Sequence, residues 1–340
     1  TVRINTTRLS SKCLNDNALE YSNQKSDRSF EEVEQKNSFL KSVPSIVMCK
    51  PLETKLDQRE SNSLPKLIKK TKSFELKIPI NYSEIYHPYF KNKIDHHIPC
   101  LFIQHNHSRE IIIFFHSNAE DISCITPICN AFSCCLEKNI IAMEFSGYSY
   151  HSGKLGSENI KKDSIALIYF LTKVLDFELK NIIVIGRSIG SGPAIFLSSL
   201  YTFNSVIVIS GFLSIKQIVA DRFGLLKFFV NKYFDNEKAI QGNLNKILFI
   251  HGKNDEIINY QHSQMLHGYS IEKSKLVLFD DMKHNRFDFM KCVIYPIINF
   301  LDEIKTDGNP NDNSKNNFSI INSLFKCRYP ISFTEIPPQL

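Results

Sequence analysis

A serine hydroxyl becomes a useful nucleophile only when a base takes its proton and an acid steadies that base. One stretch of this chain has the form such a serine needs. Gly186-Arg187-Ser188-Ile189-Gly190 reads Gly-x-Ser-x-Gly, set between an apolar run at 181–185 and a helical stretch at 188–201. A serine projecting from a tight strand-to-helix turn requires neighbours without side chains at two positions, and Gly186 and Gly190 supply them. Gly192 is expected to let the new helix pack close to the sheet. The helix N-terminus offers free amides and the positive end of a dipole to developing negative charge. Alone, the pattern is weak, because Gly and Ser are common in turns. Its position between a buried strand and a helix is what makes it specific.

The partners of such a serine follow it in the order acid, then His, each after a later strand. A strand read at 246–250 ends in His251-Gly252-Lys253-Asn254-Asp255-Glu256, and one at 275–279 ends in Asp280-Asp281-Met282-Lys283-His284-Asn285. Asp255 is therefore the candidate acid and His284 the candidate base. Glu256 is expected to point elsewhere. Asp280 and Asp281 are too near His284 in sequence to reach it from another strand and read as a solvated turn. His251 is an alternative base, but it precedes the acid and reads as packing at a strand end. His96, His97, His105 and His107 read as surface loop residues. An oxyanion hole needs two N–H donors. Ile189, directly after the serine, offers one backbone N–H, and Asn118, in the loop His116-Ser117-Asn118-Ala119-Glu120-Asp121, offers the other. Ser117 or Asn118 is also read as capping the helix that follows.

These loops must be held by a scaffold, and the patterning supplies one. Early strands read at 74–80 and 101–105. The unbroken apolar run at 110–115 is typical of a strand buried on both faces. A helix at 121–138, a strand at 139–145, a helix at 158–177 and the strand at 181–185 follow. The helix at 188–201 leads to a strand at 205–209 and the strand at 246–250. Helices at 261–270 and 287–304 flank the strand at 275–279. Strands alternating with helices mean a parallel sheet covered on both faces, with chemistry on loops at the C-terminal strand ends. The 35 or so residues between 209 and 246 leave room for a small cap.

The chain of 340 residues is 43% hydrophobic, enough for one large core. No apolar run approaches a membrane span, and no signal peptide reads from 1–40. A start on Thr1 rather than Met leads us to expect residues upstream. Residues 1–73 and 305–340 are polar and aperiodic and read as mostly disordered flanks of a domain at 74–304. Fourteen Lys and Arg against nine Asp and Glu lie in 1–73, so the basic excess sits there. Its densest cluster, Lys66, Lys69, Lys70 and Lys72, is a candidate for weak contact with an anionic membrane surface. Interleaved aromatics and recognition motifs are lacking, which argues against nucleic acid. The nine Cys form no regular framework, and Cys124, Cys129, Cys134 and Cys135 match no zinc spacing. They read as buried reduced thiols, as in cytosol or nucleus. No phosphate-binding loop or metal-ligand pattern appears, so neither cofactor nor metal is expected.

With these loops assembled, the chain resembles the α/β-hydrolase superfamily and, within it, the branch of α/β-hydrolase domain-containing protein 17, over about 74–304. The resemblance rests on Phe115-His116-Ser117-Asn118-Ala119-Glu120-Asp121, on Glu144-Phe145-Ser146-Gly147-Tyr148-Ser149, and on Ser157-Glu158. It continues through Gly186-Arg187-Ser188-Ile189-Gly190-Ser191-Gly192-Pro193-Ala194, His251-Gly252-Lys253-Asn254-Asp255-Glu256 and Lys283-His284-Asn285. It implies an α/β-hydrolase fold with a small cap, Ser188, Asp255 and His284 as triad, and Asn118 and Ile189 as oxyanion donors. The branch contains protein depalmitoylases, which implies an ester or thioester hydrolase acting through an acyl-serine. Two positions depart from the branch: Ser117 stands for a glycine, which could tilt the second donor, and Ser149 stands for another. The depalmitoylases also carry an N-terminal cysteine cluster, where this chain has only Cys13 and Cys49. A peptidase, a monoacylglycerol lipase-like enzyme, and a non-catalytic interaction protein on the same fold are the alternatives. The expected location is cytoplasmic, with peripheral membrane contact through the Lys cluster.

Overall fold

Strand-forming runs of Ile, Val and Phe assemble one sheet. The computed structural model of the protein describes residues 47–48, 72–81, 95–105, 108–149, 151–224 and 233–308. Its strands are β1 (Val47–Met48), β2 (Lys72–Asn81), β3 (Asp95–Gln104), β4 (Ile111–Phe115), β5 (Asn139–Met143), β6 (Ile182–Arg187), β7 (Ser205–Ile209), β8 (Ile247–Gly252) and β9 (Ser274–Phe279). They lie in the order β1-β2-β3-β5-β4-β6-β7-β8-β9. The first three are joined to one another and to β5 by antiparallel ladders. Every pairing from β5 to β9 is parallel. The sheet thus takes in Lys72 and the pair Val47–Met48, outside the expected domain boundary at 74.

Burial on both faces explains why the central strands read as unbroken apolar runs. Alternate residues serve opposite sides. Ile111, Ile113 and Phe115 of β4 join one core with Val184 and Val208. Ile112 and Phe114 join the other with Ile185 and Ile209. The first core is covered by α2 (Ser157–Tyr169), α3 (Ser191–Ser198), α5 (Asn236–Gln241) and α6 (Gln261–Gly268) through residues such as Ile160, Ala194, Ile240 and Leu266. The second is covered by α1 (Thr126–Leu136) and α7 (Tyr295–Gly308) through Phe132, Ile297 and Leu301. Two helical stretches continue with wider turns, Phe170–Val174 after α2 and Met290–Ile294 before α7.

Several expectations change. The helix read from 121 begins only at Thr126, with Pro127 in its first turn and no side-chain cap. Neither Ser117 nor Asn118 caps it; Asp121 instead accepts the N–H groups of Ser123 and Cys124 at 2.9 Å each. His96 and His97 belong to strand β3 rather than a loop, and His105 follows it directly, donating its backbone N–H to Asn139 Oδ1 at 2.9 Å. The four clustered cysteines are not uniformly buried: Cys129 and Cys135 are, Cys134 is half-buried and Cys124 is exposed, and all four are free thiols. Burial holds the Cys135 thiol up, at about 12. Between β7 and β8 the cap region carries α4 (Ile215–Phe223) and α5, which periodicity missed. His107, Cys13, Cys49 and the cluster Lys66, Lys69 and Lys70 lie outside the described residues, as do most of the two flanks expected to be disordered; Lys72 opens β2. Among the described residues, no helix is long and apolar enough to cross a membrane.

Candidate active site

The loops at the C-terminal ends of β4, β6, β8 and β9 converge. Strand β6 runs into a single tight turn, Ser188–Gly190, before α3. Ser188 sits there at φ +53°, a backbone state that L-residues seldom adopt and that marks a strained turn. The two flanking glycines are required sterically. A Cβ on Gly186 would lie 2.4 Å from the Gly190 carbonyl oxygen, and one on Gly190 would lie 2.1 Å from that of Phe115. The turn is therefore pressed against the end of β4, where the Asn118 loop departs. Gly192 plays a different part from the one expected: its missing side chain makes room for the Phe234 ring, 2.5 Å from an ideal Cβ, and not for the sheet.

The side chains of Ser188, His284 and Asp255 meet. Ser188 Oγ stands 3.1 Å from His284 Nε2, and His284 Nδ1 stands 2.8 Å from Asp255 Oδ2. A carboxylate only accepts, so Nδ1 carries the imidazole proton and Nε2 is left to accept from the serine hydroxyl. Asp255 Oδ1 accepts two backbone N–H groups, from Ile257 at 2.9 Å and Ile258 at 2.8 Å. Burial pushes the Asp255 carboxyl up, but donation from His251 and His284 outweighs it and holds the group well below the usual carboxylate range. Ser188 and His284 are themselves buried. Glu256 does not simply face away; its Oε2 accepts the backbone N–H of His284 at 3.3 Å. Asp280 and Asp281 pair with Lys253 and Lys291 at the surface.

Two N–H groups are the candidates for an oxyanion hole. Ile189 lies in the first turn of a helix, where N–H groups have no intrahelical acceptor. Asn118 is at an exposed turn whose next residue, Ala119, has φ +58°. Among the described residues, the Asn118 backbone N–H donates to no protein acceptor. Its side-chain Oδ1 accepts from the Tyr148 hydroxyl at 2.5 Å. Ser117, at one departure from the branch pattern, has its N–H held by Glu120 Oε2 at 2.9 Å. Ser149, at the other, has φ +37°, which a glycine would adopt without strain.

Sequence reasoning missed the groups that brace these loops. Arg187, between Gly186 and Ser188, is buried, and its Nη1 donates to Glu120 Oε1 at 2.6 Å. Its Nη2 donates to the His284 carbonyl at 3.0 Å and to Asn285 Oδ1 at 2.7 Å. One guanidinium thus ties the serine turn to both neighbouring loops. His116 and Glu144, both fully buried, face each other at 3.2 Å at the ends of β4 and β5. Ser146 and His151 both address Asp163 Oδ2, the latter at 3.2 Å. The signal available in the sequence was charge inside otherwise apolar strand ends, which demands a partner. Among the described residues no group of three or more His, Cys, Asp or Glu side chains is arranged to hold a metal ion.

Comparisons with known proteins bear on the fold and on sequence similarity. No family model matches the chain. It is 27% identical over 170 residues, half of its length, to human alpha/beta hydrolase domain-containing protein 17B. To the 17C protein of Xenopus tropicalis it is 29% identical over 164 residues, 48% of its length. The matched segments span 58% and 52% of those relatives' own lengths. An esterase of Pyrococcus furiosus superposes with a TM-score of 0.51 at 16% identity, covering 68% of this chain and 90% of the esterase. An acetyl xylan esterase from Paenibacillus does so with a TM-score of 0.53 at 11% identity, covering 80% and 93%. The fold is that of the α/β-hydrolases, and the chain is similar in sequence to the domain-containing protein 17 group.

Proposed function

We propose that the protein is a serine hydrolase that cleaves acyl esters or thioesters through an acyl-serine. The observation that carries this reading is the unbroken hydrogen-bonded line from Ser188 through His284 to Asp255, built on a strained turn. In this reading His284 Nε2 takes the Ser188 proton as Oγ attacks the acyl carbon. The resulting oxyanion is met by the N–H groups of Ile189 and Asn118. Collapse expels the alcohol or thiol, which takes the proton from His284, and water then hydrolyses the acyl-serine by the same route. Asp255 remains ionised throughout and stabilises the imidazolium.

Similarity to the domain-containing protein 17 group favours a protein S-acyl thioester as the substrate. The cap between β7 and β8 is short, which suits an acyl group presented on a large carrier. The test is labelling of the full chain by a fluorophosphonate probe, followed by a panel of acyl thioesters and oxoesters of increasing chain length. Covalent labelling that disappears in Ser188→Ala supports the hydrolase. An unlabelled Ser188 in folded protein rejects it. Faster turnover of long-chain S-acyl peptides than of matched oxoesters supports the thioesterase, and the reverse order rejects that finer assignment.

A further inference from the structure

Asp255 is approached by two imidazoles. His284 Nδ1 reaches Oδ2 at 2.8 Å, and His251 Nε2 stands 3.2 Å from the same oxygen. The His251 tautomer follows from its other contacts. Nε2 also lies 3.0 Å from the Ile258 carbonyl, which can only accept, so Nε2 carries the proton. Nδ1 is then left to accept from the Ser263 hydroxyl at 2.7 Å. Ser263, His251, Asp255, His284 and Ser188 thus stand in one line, hydrogen-bonded at each step except between His251 and Asp255, which meet as a close polar pair at 3.2 Å. The side chains of His251 and Asp255 at its middle are fully enclosed.

We propose that His251 is a positioning residue that acts through Asp255, sharing Oδ2 with His284 and so setting how strongly the carboxylate supports a protonated His284. Its meaning for catalysis rests on the serine-hydrolase reading; the coupling between the two imidazoles does not. A carboxylate oxygen that already accepts one N–H is a weaker acceptor for a second, because part of its charge is taken up. With His251 in place, Oδ2 has less charge to offer the His284 N–H than an undivided carboxylate would. The direction of the Asp255 shift is in keeping, since donation from His251 helps hold that carboxyl down. Other charged or titratable groups border the line. His262 of α6 pairs with Asp221 of α4 at 2.8 Å, Glu256 accepts the His284 backbone N–H, and Arg187 binds the His284 carbonyl. None of these three contacts falls on the Asp255 carboxylate.

The experiment is an NMR titration of the full chain carrying isotope-labelled histidine, with the His284 and His251 signals assigned from single substitutions. In the unaltered protein, His251 is expected to keep its proton on Nε2 across the range in which His284 titrates. A proton resident on Nδ1 overturns the proposal without any variant. In His251→Phe, the His284 signals are expected to titrate higher by about half a unit to one unit. The acid limb of kcat/KM for a 4-nitrophenyl acyl ester should move upward with them. His251→Gln, whose amide N–H replaces Nε2–H, should return both toward the unaltered values, which a merely space-filling role would not require. An unchanged His284 titration in folded His251→Phe rejects the coupling. Should that variant not fold, His251→Asn serves, because its shorter amide does not reach Oδ2. Failure of the hydrolase reading would show separately, as loss of Ser188-dependent labelling with the titration result intact.

Discussion

Two groups of serine, histidine and carboxylate side chains stand at the same end of the sheet, and only one has the order that chemistry requires. At the ends of β6, β8 and β9, the hydroxyl of Ser188 faces a ring nitrogen whose partner nitrogen is held by Asp255. In the loop after β5, Ser146 bonds Asp163 directly, and His151 approaches the same carboxylate oxygen from elsewhere. The other His151 nitrogen accepts the Gly153 N–H at 3.0 Å, so its lone pair is engaged by a backbone amide and not by Ser146. Burial does not separate the two groups, since Ser188 and His284 are buried as well as Ser146, His151 and Asp163. Residue types alone do not make a nucleophile; the sequence of donors and acceptors does. The first group has an arrangement along which a proton could pass, and the second ties a loop to a helix.

The largest effect should separate the two groups outright. Ser188→Ala is expected to lower ester turnover by at least about 10⁴-fold and to abolish fluorophosphonate labelling. Ser146→Ala should leave labelling at Ser188. Labelling that follows Ser146 instead would invert the comparison.

The bracing of the first group should show next, as stability and turnover together. Arg187→Met leaves Glu120 facing no guanidinium in a largely buried position, and about 3 kcal/mol of stability should be lost in urea unfolding. Because Glu120 also fixes the Ser117 N–H, the double change Arg187→Met with Glu120→Met should cost less than the sum of the singles, by about 0.5–3 kcal/mol. Strict additivity would show that the two loops are not coupled through this pair.

Acid sensitivity sharpens the contrast further. The folded carboxyl of Asp255 lies below its unfolded value. Its contribution to stability is therefore complete above the ordinary carboxylate range, near about pH 4, and is lost as pH falls toward the folded value. His262 acts with the same sign. Its burial, only partly offset by Asp221, lowers its affinity for a proton, so stability is full above about pH 6.5 and declines below it. Urea unfolding between pH 3 and 7 should show Asp255→Asn flattening the lower part of this decline and His262→Asn the upper part. The smallest effect is expected at the strained turn near the second group. Ser149→Gly should raise stability by up to about 1 kcal/mol, read as a modest rise in Tm, since it removes a side chain from φ +37°.

How much of this was legible depended on whether the determinant was local. The apolar runs of β4, β6 and β7 and the loops bearing Ser188, Asp255 and His284 could be read because each loop directly follows its strand. A parallel sheet covered on both faces followed from the same alternation, and the α/β-hydrolase fold from the resemblance that the motifs carry. Arg187 and Glu120 could not be paired that way, being 67 residues apart with no pattern linking them. The role of Gly192 was misjudged for a similar reason, since Phe234 arrives from the far side of the cap region. The cap helix α5 escaped notice because it is about a turn and a half long, and α4 because it buries no residue fully and so lacks a fully buried apolar stripe.

One feature of the sheet bears on how such a site fails. His284 hangs from β9, which among the described residues pairs only with β8 and whose residues are half-buried or exposed, while Ser188 hangs from β6, flanked on both sides and wholly enclosed. Edge elements with one neighbour open locally at lower free energy than interior ones. Amide exchange should therefore outpace global unfolding along β9 first. The His284 imidazole would be carried off while the strand of Ser188 stayed folded, so on the proposed reading inactivation by mild denaturant would precede melting of the core.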